Sequence, residues 1–321
     1  MNRANKGIGL VNNIETTLRN TPGGRYHFEL AVIMRNAILI SSVISCSEVW
    51  YKVTEWEYRK LEETDEILLK KIFNCSSEIN PEMLYLELGL MPIRFIIMLR
   101  RLIYLQHILK QNPEQTLLYN FFRAQIENPS KNDWVSSVVK DLCTAKIDFE
   151  LFEIEDMAEE KYKDICKQKV KNLALEYLLE KKSKRQNKHR IKYDSLFMAE
   201  YLQENDFGFS VQQKRNLFKC RMQDIDVKAN RSWKYENINC MACNEPNQLE
   251  TQEHVLYCRA LTNKNCKISY IPTYNDLFSD NIEEQIYTSS MLCENLRISR
   301  VPTRSNCFSY DLLFRQFWIN K

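Results

Sequence analysis

Four residues in this chain have the types and the spacing to do chemistry together. Cys240-Met-Ala-Cys243 is followed, ten residues on, by His254-Val-Leu-Tyr-Cys258, a C-x2-C-x10-H-x3-C frame. Thiolate and imidazole ligands in fours suit tetrahedral zinc, and an x2 spacing lets two thiolates grip one ion from a single turn. His254 and Cys258 are four apart, so one face of a helix carries both. Asn244-Glu-Pro-Asn247 between the pairs is a turn-forming run able to reverse the chain. A catalytic zinc keeps a position open for water, whereas this frame fills all four, so the expected site is structural. The competing reading is chance, since 11 cysteines in 321 residues produce an occasional CxxC.

Other chemistry is missing from the sequence. No GxxxxGK[ST], GxGxxG, GxSxG or HExxH motif occurs, and no adjacent aspartate pair offers the two-metal site of nucleotidyl transfer. His27, His107 and His189 stand alone. No catalytic residue is assigned.

The elements that must position the cluster are helices. Only 6 Gly and 8 Pro, with 44% hydrophobic and 27% charged residues, describe an ordered, mainly α protein. Residues 1–25 are Gly- and Asn-rich, with a turn signal at Thr21-Pro-Gly-Gly24; a helix-compatible stretch follows from Tyr26 to Tyr51. Thr54 and Glu57 form a capping box for a helix to about Phe73, with Leu61, Leu68 and Ile72 on one face. Met91, Phe95, Met98, Leu102, Leu105 and Leu109 step by fours and threes, an apolar seam. Glu114 to Ile126 makes a further helix, and Ser130 is expected to cap another, with Asp133 at its third position.

Charge then changes sign along the chain. Seven carboxylates lie between Asp148 and Glu160 with no base among them. From Lys161 to Lys192 there are twelve Lys or Arg against three acids, a local excess of nine. Lys163, Lys167 and Lys171 stack on one helix face, while Tyr162, Cys166, Val170, Leu173 and Tyr177 form its buried side. Lys181, Lys182, Lys184 and Arg185 continue the basic run into a polar linker ending at Arg190. Helices are expected at Tyr193 to Leu202 and Val211 to Met222, the latter carrying Lys214, Arg215, Lys219 and Arg221. These cations are candidates for phosphate neutralisation, and Trp233 and Tyr235 for stacking on unpaired bases. The bland alternative is a solvated helix face and aromatics in a core. A helix from about Ile282 to Leu296 and an aromatic tail, Phe308 to Trp318, end the chain.

Three stretches carry a resemblance: Leu86-Glu-Leu-Gly-Leu-Met-Pro-Ile93, Arg100-Arg-Leu-Ile-Tyr-Leu-Gln-His-Ile108 and Asn128-Pro-Ser-Lys-Asn-Asp-Trp134. With Ser47-Glu-Val-Trp-Tyr51 and Glu250-Thr-Gln-Glu-His254, they resemble the region downstream of the palm in non-LTR (LINE-type, jockey-like) retrotransposon reverse transcriptases. The likeness covers roughly residues 25–260. It implies a helical thumb-like region, placed over 1–150, an acidic-then-basic helical linker over 151–235 and a zinc knuckle over 236–262; the residues themselves add a helical tail over 263–321. It also implies Cys240, Cys243, His254 and Cys258 as zinc ligands, with RNA or DNA as partner. The family's palm aspartates would precede residue 1, so the expected role is non-catalytic template, primer or target binding. A protein-interaction or structural helical domain, or a retroelement remnant, is the other reading. The polar start and the unpaired cysteines point to an intracellular protein, nuclear or cytoplasmic, and the run from Leu30 to Cys46 is too short to span a bilayer.

Overall fold

The computed structural model describes residues 2–20, 28–111, 116–130, 132–183, 191–203, 208–229, 234, 237–240, 242–243, 245, 248–262 and 273–300. Its named elements are all helical: α1 (Asn2–Arg19), α2 (Phe28–Met34), α3 (Ser41–Val43), α4 (Glu55–Phe73), α5 (Pro81–Leu88), α6 (Ile93–Leu109) and α7 (Leu117–Glu127). Then come α8 (Trp134–Thr144), α9 (Leu151–Asp156), α10 (Glu159–Ser183), α11 (Val211–Arg221), α12 (Gln252–Tyr257), α13 (Arg259–Thr262) and α14 (Ile282–Arg300). Among the described residues, β pairing is limited to one antiparallel bridge, Asn239 with Leu249. No described helix is long and apolar enough to cross a membrane.

The α6 seam lies at the centre, packed against α4, α8, α9 and α10. Phe95, Leu102, Leu105 and Leu109 are buried as the periodicity requires, although Met91 precedes the helix and Met98 is only half-buried. Across from it, α10 buries Tyr162, Cys166, Val170, Ala174 and Leu178, a row of fours slightly rotated from the expected face. The Tyr162 hydroxyl donates to the Leu102 carbonyl at 3.1 Å, and the Gln106 amide donates to the carbonyls of Ile154 and Met157. The apolar cluster continues into the later helices, where Phe218 of α11 stacks on Phe73 of α4 at 3.8 Å between ring centroids.

The Gly- and Asn-rich stretch 2–19 is helical, and its Gly7 lets α1 lie against α4 and the segment after α2: an added Cβ would meet Thr64 Cγ2 at 2.6 Å. Several expectations are corrected. The Tyr26–Tyr51 stretch is no single helix, because Arg35–Ile40 widens into a π-helical turn and Cys46 turns left-handed at φ 56°. The wide turn carries Arg35, whose guanidinium makes a bidentate pair with fully buried Asp65, itself hydrogen-bonded by Tyr85 Oη. Asp133, not Ser130, caps α8: its carboxylate accepts from Ser136 N and Ser130 N, both at 2.7 Å. Tyr193 to Leu202 forms no α-helix, only a short 3-10 turn at Glu200–Leu202. Helix propensity loses there to buried Glu87, which accepts from Tyr193 Oη at 2.6 Å and Tyr201 Oη at 2.7 Å. The basic run expected as a linker begins inside a helix, since α10 runs to Ser183. Residues 184–190, the turn at 21–24 and the tail at 308–318 lie outside the described residues.

Candidate metal centre

The bridge at Asn239 and Leu249 closes the short reversal that carries the first two cysteines. Cys240 N donates to Gln248 O at 2.7 Å and Glu250 N to Ile238 O at 2.9 Å. Thr251 then caps α12, accepting from His254 N at 3.0 Å. This cap fixes the first turn of α12 and so aims His254, while Cys258 stands at the C-terminal end of the same helix.

The four side chains converge. One ligand atom from each of Cys240, Cys243, His254 and Cys258 lies within 4.8 Å of all the others. Cys240 Sγ and Cys258 Sγ are 3.9 Å apart, and Cys243 Sγ is 3.5 Å from His254 Nε2. A tetrahedron built on zinc bond lengths has edges of about 3.8 Å between sulfurs and about 3.6 Å between sulfur and imidazole nitrogen. These two edges match both values, and the donor set as a whole could hold one metal ion. Cys240 and Cys258 are buried, and Cys243 and His254 half-buried. Burial, together with the neighbouring Cys240 thiol, pushes the Cys258 thiol up to about 11. A divalent cation at the centre favours the thiolates and opposes that cost.

Residues that the spacing did not point to hold the centre in place. Glu250 accepts from Lys228 N at 3.1 Å through its carboxylate, and its carbonyl accepts from Ala229 N at 3.1 Å. Lys228 is itself buried and donates from Nζ to Asn239 O at 3.0 Å. On the other side, Asn295 of α14 donates to Val255 O at 3.2 Å, and Tyr274 N donates to Tyr257 Oη at 2.7 Å. The centre is therefore docked on α14, and α14 packs on α11. Neighbours this far away in sequence leave no spacing signal.

Most of the described basic residues singled out by sequence have partners within the protein. Lys163 sits 3.7 Å from Glu160 and Lys167 3.3 Å from Asp164, each pair within a single turn of α10. Lys171 Nζ lies 3.6 Å over the Phe197 ring, Lys181 over Tyr177 and Lys182 over Tyr193, with Lys182 Nζ also donating to Ile191 O. Burial lowers the Lys171 and Lys182 ammonium groups below the ordinary lysine range. On α11, Lys214 is turned inward as a correction to the expected surface role: it is 8% exposed and donates to the carbonyls of Leu202 and Gln203. Arg221 is likewise internal, 3.3 Å from Glu87 and bonded to Gln285 Oε1. Lys219 is half-buried. Lys184, Arg185, Trp233 and Tyr235 lie outside the described residues.

Positive charge instead collects where α1, α4 and α11 meet. A groove of about 730 Å³ there is lined by Arg19, Lys70, Lys71 and Arg215, with Glu15 the one carboxylate. Glu15 pairs with Lys71 at 2.6 Å and with Arg19 at 2.5 Å. Lys70 Nζ and Arg215 Nε reach the carbonyls of Ser77 and Ile72. Of the cations singled out by sequence, Arg215 alone lines this groove; Arg19, Lys70 and Lys71 come from helices without a basic run.

Comparison with protein-family models, with curated proteins and with solved structures finds no match for this chain.

Proposed function

We propose that this protein binds nucleic acid, without catalysing a reaction on it, and that a structural zinc at Cys240, Cys243, His254 and Cys258 orders its C-terminal region. The observation that carries the binding reading is the groove between α1, α4 and α11, where four cations face one carboxylate. A single carboxylate leaves a positive excess, and phosphates are the anions such an excess concentrates. Zinc is favoured for the metal because three sulfurs and one imidazole nitrogen, all within 4.8 Å of one another, suit it better than hard, oxygen-seeking cations. The resemblance to the post-palm region of non-LTR retrotransposon reverse transcriptases supports the same role: holding RNA or DNA beside a polymerase carried elsewhere.

A purely structural or protein-docking role is the second reading, favoured by the lysines of α10 that pair within their own helix or cover aromatic rings. Fluorescence anisotropy with single-stranded RNA, single-stranded DNA and duplex, over a series of salt concentrations, separates the two. Nucleic-acid binding predicts affinity that falls steeply with salt. Combined Arg19→Gln, Lys70→Gln and Arg215→Gln should flatten the slope by about 0.7 to 0.9 per lost phosphate contact, whatever the sequence. Lys163→Gln with Lys167→Gln should change it less. No salt-dependent binding by a folded, zinc-loaded protein would favour the second reading.

A further inference from the structure

Outside the metal centre, one pair of reactive side chains is brought together by the fold and used by nothing described above. Cys220, on the last turn of α11, and Cys293, on α14, are 73 residues apart in sequence, yet their sulfurs lie 3.9 Å from each other. Both helices are held by the surrounding core: Leu217, Phe218, Met291 and Leu292 beside the two cysteines are buried. Cys220 is completely buried and Cys293 partly open. The other close sulfur pair, Cys240 with Cys258, belongs to the metal cluster.

We propose that Cys220 and Cys293 are a redox-active dithiol that closes into a disulfide between α11 and α14 when the protein meets hydrogen peroxide. A disulfide needs its sulfurs about 2.05 Å apart, so the gap to close is about 1.9 Å, shared between two side chains that already face each other. The two thiols are also unlike in the sense the reaction requires. The Cys220 S–H beside it, aided by Lys219, holds the Cys293 thiol below the ordinary cysteine range, whereas burial raises that of Cys220. Cys293 is therefore the attacking sulfur, and its residue is the less buried of the two.

The steps balance. The Cys293 thiolate attacks one peroxide oxygen, the O–O bond breaks, and the leaving hydroxide takes up a proton as water, giving a sulfenic acid. The Cys220 sulfur then attacks Cys293 Sγ, the S–O bond breaks, and the second oxygen leaves as water with the Cys220 proton. Two thiols lose two electrons, and the peroxide becomes two waters. The new bond would join the helix that supplies Arg215 to the groove with the helix that holds the metal centre through Asn295.

The test uses the full-length, zinc-loaded protein. Hydrogen peroxide is added in steps, free thiols are alkylated under denaturing conditions, and the digest is mapped by mass spectrometry while released zinc is followed with a chromogenic chelator. The expected result is a peptide carrying Cys220 joined to one carrying Cys293, two hydrogens lighter than the pair. It should form before zinc is released and be reversed by a thiol reductant. Cys293→Ser should leave Cys220 fully alkylated at the same doses. If that variant fails to fold, the wild-type map alone decides. The proposal is overturned if both thiols stay alkylatable while exposed Cys46 and Cys143 are oxidised, or if the joined peptide appears only after zinc is lost.

Discussion

Asn295 of α14 donates its side-chain amide to the carbonyl of Val255, the residue next to His254, at 3.2 Å. Both are buried, so this bond fastens the helix that carries His254 to the body from one side, while the Cys240, Cys243, His254 and Cys258 cluster lies on the other.

Asn295→Ala should therefore loosen the docking without touching a ligand. An unsatisfied buried carbonyl costs about 1–3 kcal/mol. Hydrogen exchange should rise over 251–258 and in the adjoining turns of α14, with metal still bound. Unchanged protection at Val255 would show that the ligands alone hold α12 in place.

The stretch Leu86-Glu-Leu-Gly-Leu owes its form to packing. Gly89 adopts φ 64° at the end of α5, and a Cβ there would come 2.3 Å from both Met198 N and Phe197 C. Neither atom belongs to a flexible side chain, so the backbone of 197–199 must move. That movement breaks the 2.8 Å bond from Ala199 N to Glu87 O and disturbs the two tyrosines on the Glu87 carboxylate. Gly89→Ala should lower stability by more than the roughly 1–2 kcal/mol of the left-handed conformation alone. A urea midpoint within error of wild type would contradict the packing described.

A pH dependence follows from Glu66 on α4. Burial pushes its carboxyl up to about 7, opposed by Lys70 and reinforced by Glu62, Glu82 and Asp65. The folded state holds this proton between about 4.5 and about 7, where the unfolded chain has released it. The stabilisation is complete below the unfolded value and is lost as pH rises through 7. Glu66→Gln keeps the shape and removes the charge, so its advantage in urea midpoint over wild type should grow from pH 5 to pH 8. Parallel curves for the two proteins would place the titration elsewhere.

Local patterns were legible in the sequence, and long-range ones were not. The Thr54–Glu57 capping box forms as read, with Glu57 N donating to Thr54 Oγ1 at 3.3 Å and Thr54 N to Glu57 Oε2 at 2.8 Å. Phe95, Leu102, Leu105 and Leu109 of the α6 seam, and the convergence of Cys240, Cys243, His254 and Cys258, follow from spacing. What failed depended on partners far along the chain. A Gly- and Asn-rich composition gives no helix signal at 2–19, yet Gly7 is the residue that permits close packing on Thr64. Arg35 and Asp65, thirty residues apart, form a buried pair that no periodicity announces. Lys214 and Arg221 read as surface cations because a helix pattern gives faces but not what covers them.

Native mass spectrometry of protein purified without added chelator or metal tests most directly whether Cys240, Cys243, His254 and Cys258 hold one metal ion. One zinc per chain is expected, lost in Cys258→Ser. Removing the metal should cost on the order of 10 kcal/mol of ordering free energy. Exchange should then rise over 239–261 while α4, α6 and α10 keep their protection. A metal-free wild-type chain whose 239–261 segment is as protected as with zinc present would contradict it.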